Sequence, residues 1–285
     1  MVSELFPADR VTILGILNAT PDSFSDGGRL LGEGDRPRVD AALALAEAML
    51  RAGAHALDVG GESTRPGARA VAAREEIRRA VPIVEALAKR FGAPISIDTR
   101  KAAVAAAALE AGASWVNDVS GLRCEPELAQ VAARAGAGLL LGHLRGEPET
   151  MQRAPHFDDA REEVARELAD SVARARAAGI PPERLAVDPG LGFGKRLEDN
   201  LALLAGVGWL RERLGLPVLV GPSRKSFLGE LTGDPVGERD AATAAACAVA
   251  AFAGADALRV HEVAGAARAA RVGRALGRAR REGRA

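Results

Sequence analysis

The sequence predicts a (β/α)8 barrel, the TIM-barrel fold, from three observations. Short apolar runs recur eight times along 285 residues, each run ends in polar residues, and each is followed by a stretch of helical character. The polar ends are Asn18, Asp58, Asp98, Asn117, His143, Asp188, Lys225 and Arg259 with His261. In this fold the strand ends converge on one face, so the repetition predicts the architecture and the place of the functional site together. A repeat of roughly 30 residues leaves no gap for another unit, and a single domain over residues 1–285 is expected.

The elements follow in order. Residues 11–17 read as the first strand. Asp35, Arg36 and Pro37 mark the entry to a first helix running to Arg51, with Asp35 as its cap and Pro37 in its first turn; Leu43, Ala46, Met49 and Leu50 supply the apolar spacing. A strand at 56–59, a helix at 72–91 and a strand at 94–97 come next. An alanine-rich helix spans 101–111 and is stopped by Gly112. Strands four to eight are placed at 115–118, 138–141, 185–187, 217–220 and 257–260, with amphipathic helices between them. The basic tail at 268–284 has the spacing of a last helix with a solvated arginine face.

Composition excludes several function classes. With 38 basic and 38 acidic residues the net charge is zero, which removes the electrostatic case for nucleic acid but leaves small anionic ligands open. Residues 1–10 contain no apolar h-region, and the longest uncharged stretch, 241–255, is too short to span a bilayer, so no membrane partner and a cytoplasmic location are expected. Cys124 and Cys247 have no partner spacing and read as reduced thiols. The chain holds only three Asn, two Gln and four Lys, so those that remain need a reason.

The chemistry lies in the loops. After the first strand comes NATPDSFSDGG (18–28), too polar and glycine-rich to pack as an element and expected to be a covering loop. The amide oxygen of Asn18 suits Mg²⁺, which takes few protein ligands when a phosphate supplies others, and Phe24 is placed to cap an aromatic substrate. In GGESTRPG (60–67), hydroxyls, backbone N–H groups and a guanidinium all donate to anions. GPSRKS (221–226) and RVH (259–261) strengthen an anion site, because such barrels often bind phosphate near the last two strands. Asp98, Asn117 and Asp188 aimed into a barrel mouth are costly unless a ligand donates hydrogen bonds to them. Helix capping is the structural alternative for these three. A flat heterocycle with amino and ring N–H donors satisfies the carboxylates, while Lys225 meets its carbonyl and ring nitrogen. There is no Cys/His zinc pattern, and the glycines at 190–194 follow a sixth strand, not the first strand of a dinucleotide fold.

Seven motifs in order resemble dihydropteroate synthase over nearly the whole chain: NATPDSFSDGG (18–28), GESTRPG (61–67), SIDT (96–99), VNDVSG (116–121), DPGLGFGK (188–195), SRKS (223–226) and RVH (259–261). That family joins 4-aminobenzoate to 6-hydroxymethyl-7,8-dihydropterin diphosphate, releasing diphosphate on the route to folate. The resemblance implies catalytic roles for Lys225, Asp98, Asp188, Arg259 and His261, with the pterin held by Asp98, Asn117, Asp188 and Lys225. It implies diphosphate contacts from Thr64, Arg65, Arg259 and His261, and an aminobenzoate pocket, also the sulfonamide site, of Phe24, Pro66, Phe193, Lys225 and Ser226. Asn18 matches the ligand of the Mg²⁺ cofactor, and a homodimer is expected, with the helix at 241–252 one candidate for its face. The implied reaction is dissociative, with diphosphate leaving before the amine attacks.

The chain departs from the common family pattern at Ala19, Gly142, Pro222 and Glu262. Gly142 matters most, since a methionine is frequent there and its side chain is a candidate pterin contact. The alternatives are a methyltetrahydrofolate:corrinoid methyltransferase-like barrel, which needs neither Phe24 nor the anion cluster, and a non-catalytic pterin-binding homologue, whose expected signature is loss of Asn18, Lys225 or His261. All three residues are present.

Overall fold

The computed structural model describes residues 5–21 and 30–283. Strands and helices alternate as β1 (Thr12–Asn18), α1 (Val39–Ala52), β2 (Ala56–Gly60), α2 (Ala73–Arg90), β3 (Ile95–Asp98), α3 (Ala102–Glu110), β4 (Trp115–Asp118), α4 (Leu128–Ala135), β5 (Gly138–Gly142), α5 (Ala160–Ala177) and β6 (Leu185–Asp188). Two helices, α6 (Leu197–Ala205) and α7 (Val207–Leu214), lead to β7 (Leu219–Val220). Two more, α8 (Ser226–Thr232) and α9 (Asp240–Ala253), lead to β8 (Ala257–Val260), which α10 (Val263–Arg281) follows. The eight strands are parallel in the order β6-β5-β4-β3-β2-β1-β8-β7. A bridge between Val187 and Val218, with the Val187 N–H donating to the Pro217 carbonyl at 3.0 Å, joins β6 to β7 and closes the (β/α)8 barrel.

Strand alternation decides where the site lies. Outward residues such as Ile13, Leu57, Ile97, Leu139 and Val187 are buried under the helices in one continuous core. Inward residues Leu14, Ala56, Trp115, Leu140, Ala186, Leu219 and Ala257 form a separate cluster with Leu5 that fills the lower barrel. Phe6 packs edge-on against Trp115, ring centroids 5.4 Å apart, and completes the floor. With a side-chain period of two, the next inward positions are Ile16, Asp58, Ser96, Asn117, Asp188 and Arg259. Register sets their heights: Asp58 lies opposite Ser96, Asp98 opposite Asn117, and Asn18 opposite Gly60. The barrel interior therefore changes from apolar to charged within one step along each strand.

Local sequence explains the ends. Gly112 has φ 111° just after α3, the left-handed conformation expected of a stop. Glu262, one of the departures from the family pattern, caps α10 by accepting from the N–H groups of Ala264 at 2.9 Å and Gly265 at 2.8 Å.

Two expectations are corrected. Asp35 does not cap α1, which begins at Val39; it sits in a short 3-10 turn at φ 56°, and its carboxylate is taken by Arg79 at 2.7 Å. The seventh strand is shorter than 217–220, because Pro217 has no N–H and the Val218 N–H goes to the Asp256 carboxylate at 2.9 Å.

Trp115 faces Gly138 across the β4/β5 ladder, and a Cβ at Gly138 would lie 2.4 Å from the indole ring. Gly138→Ala is expected to cost about 1–3 kcal/mol through overpacking. A lowered urea midpoint at constant slope would register it; an unchanged midpoint would refute this account of the floor.

Candidate active site

At the carboxyl ends of the strands a cavity of about 400 Å³ gathers Asn18, Thr64, Arg65, Pro66, Asp98, Asn117, Asp188, Phe193, Lys225, Ser226, Arg259 and His261. These are all the site residues expected from sequence except Phe24, which lies outside the described residues. Two other cavities, of about 420 and 580 Å³, lie at the opposite end, and neither includes any of these groups.

The cavity floor is acidic and internally compensated. Arg259 donates from Nε to Asp58 and from Nη2 to Asp98, while Asn117 Nδ2 donates to the same Asp58 oxygen at 3.3 Å. Burial lifts the Asp98 carboxyl to about 7 against the pull of Arg259, and neighbouring Asp58 pushes the same way as burial. Asp98 Oδ1 is buried without a donor among the described residues, an acceptor suited to a ligand N–H. Asp188 is also raised by burial, opposed first by Lys225, and its Oδ1 accepts the Gly190 N–H at 2.7 Å. Burial lowers Lys225 to about 8, with Asp188 opposing; its ammonium lies 3.9 Å from the Phe193 ring centroid and donates to the Leu191 carbonyl. The helix-cap alternative fails for the three polar groups, since none of Asp98, Asn117 and Asp188 caps a helix.

Around His261 the cavity is cationic. His261 accepts from Asn18 Nδ2 at 3.2 Å and donates from Nδ1 to Ser223 Oγ at 2.9 Å. Burial, and then Arg259, Arg224 and Arg65, hold it well below the ordinary histidine value. Three guanidinium groups crowding a neutral imidazole make a place for an anion. Among the described residues no group of three or more His, Cys, Asp or Glu is placed to hold a metal. The donor at Asn18 is one neutral amide beside this cationic region, which fits Mg²⁺ taking its remaining ligands from water and phosphate.

Residues 14–261 match the family model for pterin binding enzyme. A dihydropteroate synthase from Synechocystis is 46% identical over 94% of this chain and 91% of its own. A Yersinia pestis dihydropteroate synthase solved with a sulfonamide drug complex superposes with TM-score 0.88 at 44% identity, covering 93% of this chain and 94% of that one. A Xanthomonas albilineans dihydropteroate synthase solved with 4-aminobenzoic acid gives TM-score 0.84 at 45% identity, covering 94% and 93%. The chain belongs to the pterin-binding enzyme family.

In this pterin-binding enzyme the loops are held from below by buried polar clamps. The β6 loop, which carries Phe193, is fixed by Asn200 Oδ1 accepting the Gly192 N–H at 2.6 Å and Gln152 donating to the Gly192 carbonyl at 2.8 Å. Lys195, buried and pulled well below the ordinary lysine range by desolvation, donates to His143 Nδ1 at 2.9 Å and to the carbonyls of Phe193 at 3.0 Å and His143 at 3.3 Å. The β2 loop is held by Glu62, which accepts the Val71 N–H at 2.7 Å and pairs with Lys101 at 3.0 Å. All three Asn and one of the two Gln thus have a structural reason.

Three assignments change. His143 ends a strand but does not line the cavity; its Nε2 donates to Glu167 at 3.1 Å. Gly142 leaves no missing ligand contact, because its Cβ would lie 2.6 Å from the Val119 Cα, so close backbone approach excludes a side chain in this geometry. Asp58, which holds Arg259 from beneath the cavity, and Arg239, which lines it, were given no site role from sequence. Asp58 stood among the strand ends and its inward parity was readable, whereas Arg239, which lines the cavity from the α8–α9 connection, had no sequence signal.

His143 also gives the protein an acid-sensitive support. Burial, then Lys195, pulls it down to about 3, whereas the unfolded chain takes a proton near 6.5. Between those values protonation favours unfolding, so stability falls as pH drops. Glu167, held at about 2 first by its bond with His143, adds a loss of the same sign below 4.5. His143→Gln should flatten the fall in urea midpoint between about pH 7 and about pH 4, by up to about 1.4 kcal/mol per pH unit. Equal slopes for the two proteins would remove His143 as the cause.

Proposed function

We propose that this chain condenses 6-hydroxymethyl-7,8-dihydropterin diphosphate with 4-aminobenzoate to give 7,8-dihydropteroate and diphosphate, a step toward folate. The observation that carries this reading is one cavity that gathers Asp98, Asn117 and Asp188 together with Arg65, Arg259 and His261, Arg259 joining the two sets through its bond to Asp98. A dihydropterin brings amino and ring N–H donors to the first set, and its diphosphate brings charge to the second, beside Thr64. Lys225 meets the ring's acceptors. Pro66, Phe193, Lys225 and Ser226 make the pocket for 4-aminobenzoate, to which the sequence resemblance adds Phe24, and the ligands of the Yersinia and Xanthomonas enzymes support that reading.

The geometry favours a stepwise reaction. As the bond between the exocyclic carbon and the diphosphate oxygen breaks, Arg259 and His261 meet the departing negative charge. The carboxylates of Asp98, buried, and Asp188, half-buried, favour the positive charge left on the pterin. The amine lone pair then forms the C–N bond, and its proton leaves to water; an aromatic amine is weakly basic, so no strong general base is required. Mg²⁺, held at Asn18, would supply further positive charge to the diphosphate oxygens. The two free cysteines, Cys124 and Cys247, fit a reducing cytoplasmic setting, and among the described residues no helix is long and apolar enough to cross a membrane.

The decisive experiment supplies dihydropterin diphosphate and Mg²⁺ with and without 4-aminobenzoate and follows dihydropteroate by chromatography. Product that requires both substrates is expected; pterin binding without turnover would turn the reading to a non-catalytic homologue. Asn18→Ala should raise the Mg²⁺ requirement and leave binding of a diphosphate-free dihydropterin intact. An unchanged requirement in the folded variant would count against the metal role.

A homodimer belongs to the same reading. On neighbouring helices α9 and α10, Val249, Val272 and Leu276 are exposed at 47%, 59% and 57%, apolar surface that a second copy would cover. Sedimentation velocity should give a dimer that Leu276→Lys weakens; a monomeric wild type would dismiss it.

A further inference from the structure

We infer that Asp58 is a positioning residue that holds Arg259 while the pterin takes Asp98, an inference that rests on the reading of the cavity as a pterin site. Asp58 cannot touch the ligand. It is the third residue of β2, its side chain is 0% exposed, and it does not line the cavity, whereas Asp98 does. Arg259 reaches both carboxylates at once, with Nε on the deeper Asp58 and Nη2 on Asp98.

These two bonds have different fates. A ring that sets one N–H on the open Asp98 Oδ1 and its neighbouring amino N–H on Oδ2 competes for the oxygen that Arg259 Nη2 now occupies. A guanidinium as enclosed as that of Arg259, 18% exposed, is unfavourable once stripped of every carboxylate, so an arginine paired with Asp98 alone would resist displacement. Asp188 is no substitute, since its Oδ1 is bonded to the Gly190 N–H and Lys225 is the cation that acts on it most. Asp58, beyond the ligand's reach, keeps the Nε bond and makes the exchange tolerable. The released Nη2 donors then become available to an anion beside His261. The same Asp58 oxygen accepts from Asn117 Nδ2 at 3.3 Å, so one carboxylate orients a pterin residue and a diphosphate residue together.

The test is calorimetric titration of 6-hydroxymethyl-7,8-dihydropterin, without diphosphate, into wild type, Asp58→Asn, Arg259→Gln and the double variant. Asp58→Asn should bind ~30-fold more weakly or worse, because Arg259 then closes on Asp98 alone. Removing that arginine as well should restore affinity to the level of Arg259→Gln, a rescue that a merely structural role of Asp58 would not produce. Wild-type affinity in Asp58→Asn, or a double variant as weak as Asp58→Asn, overturns the inference and leaves the pterin reading standing. A wild type that binds no dihydropterin overturns both. Should Asp58→Asn fail to fold by circular dichroism, Arg259→Gln and the double variant, whose buried pair is neutral, decide the matter. Equal affinities are expected, and a further loss in the double variant overturns the inference.

Discussion

Three carboxylates stand inside the barrel of this enzyme, and the site depends on the two cations inserted among them. Asp58 and Asp98 are buried and Asp188 is half-buried, and desolvation raises the carboxyls of Asp98 and Asp188 above the usual range. Arg259 from β8 bridges the first two, and Lys225 from the β7 loop faces the third. The cost of desolvating these charges is met by hydrogen bonds in fixed directions, which is also what prepares them to exchange partners with a ligand. A floor of this kind needs strands from opposite sides of the barrel, so closure between β6 and β7 is a condition of the chemistry.

Around this floor the cavity carries both signs of charge. Asp98 and Asp188 share it with Arg65, Arg224 and His261, and Arg259, bonded to Asp98, joins the two groups, in a chain whose net charge is zero. A substrate that breaks into a cation and an anion is matched by this arrangement before it reacts, so little reorganisation is required as charge develops. The loops that complete the cavity are not left to solvent. Lys195, His143 and Glu167 sit beneath the β6 loop, and Glu62 with Lys101 beneath the β2 loop. Their burial makes these clamps stiff, and the His143 clamp sensitive to acid.

Much of this was legible in the sequence, because strand and helix periods leave separate marks on a chain. The eight strand positions and the residues at their ends were readable, and the twelve described members of the expected site converge in the cavity. The errors came where a neighbour from elsewhere in the chain claimed a group. Asp35 looked like a cap until Arg79 took its carboxylate, and the seventh strand looked four residues long until Asp256 took the Val218 N–H and left Val218 a single bridge to Val187. Gly142 looked like a lost contact because the approach of Val119 is set by packing between β5 and the segment after β4.

The sequence by itself determined the repeat, the parity of each strand and the chemical types at the strand tips, since these follow from spacing along one chain. Only the tertiary structure decided which charges meet. Arg259 and Asp58 are separated by 201 positions, and their bond exists because barrel closure brings β8 beside β1 and within a side chain's length of β2. Whether a buried aspartate binds a ligand or holds the residue that does depends on its depth in the barrel, and depth is a property of the closed sheet.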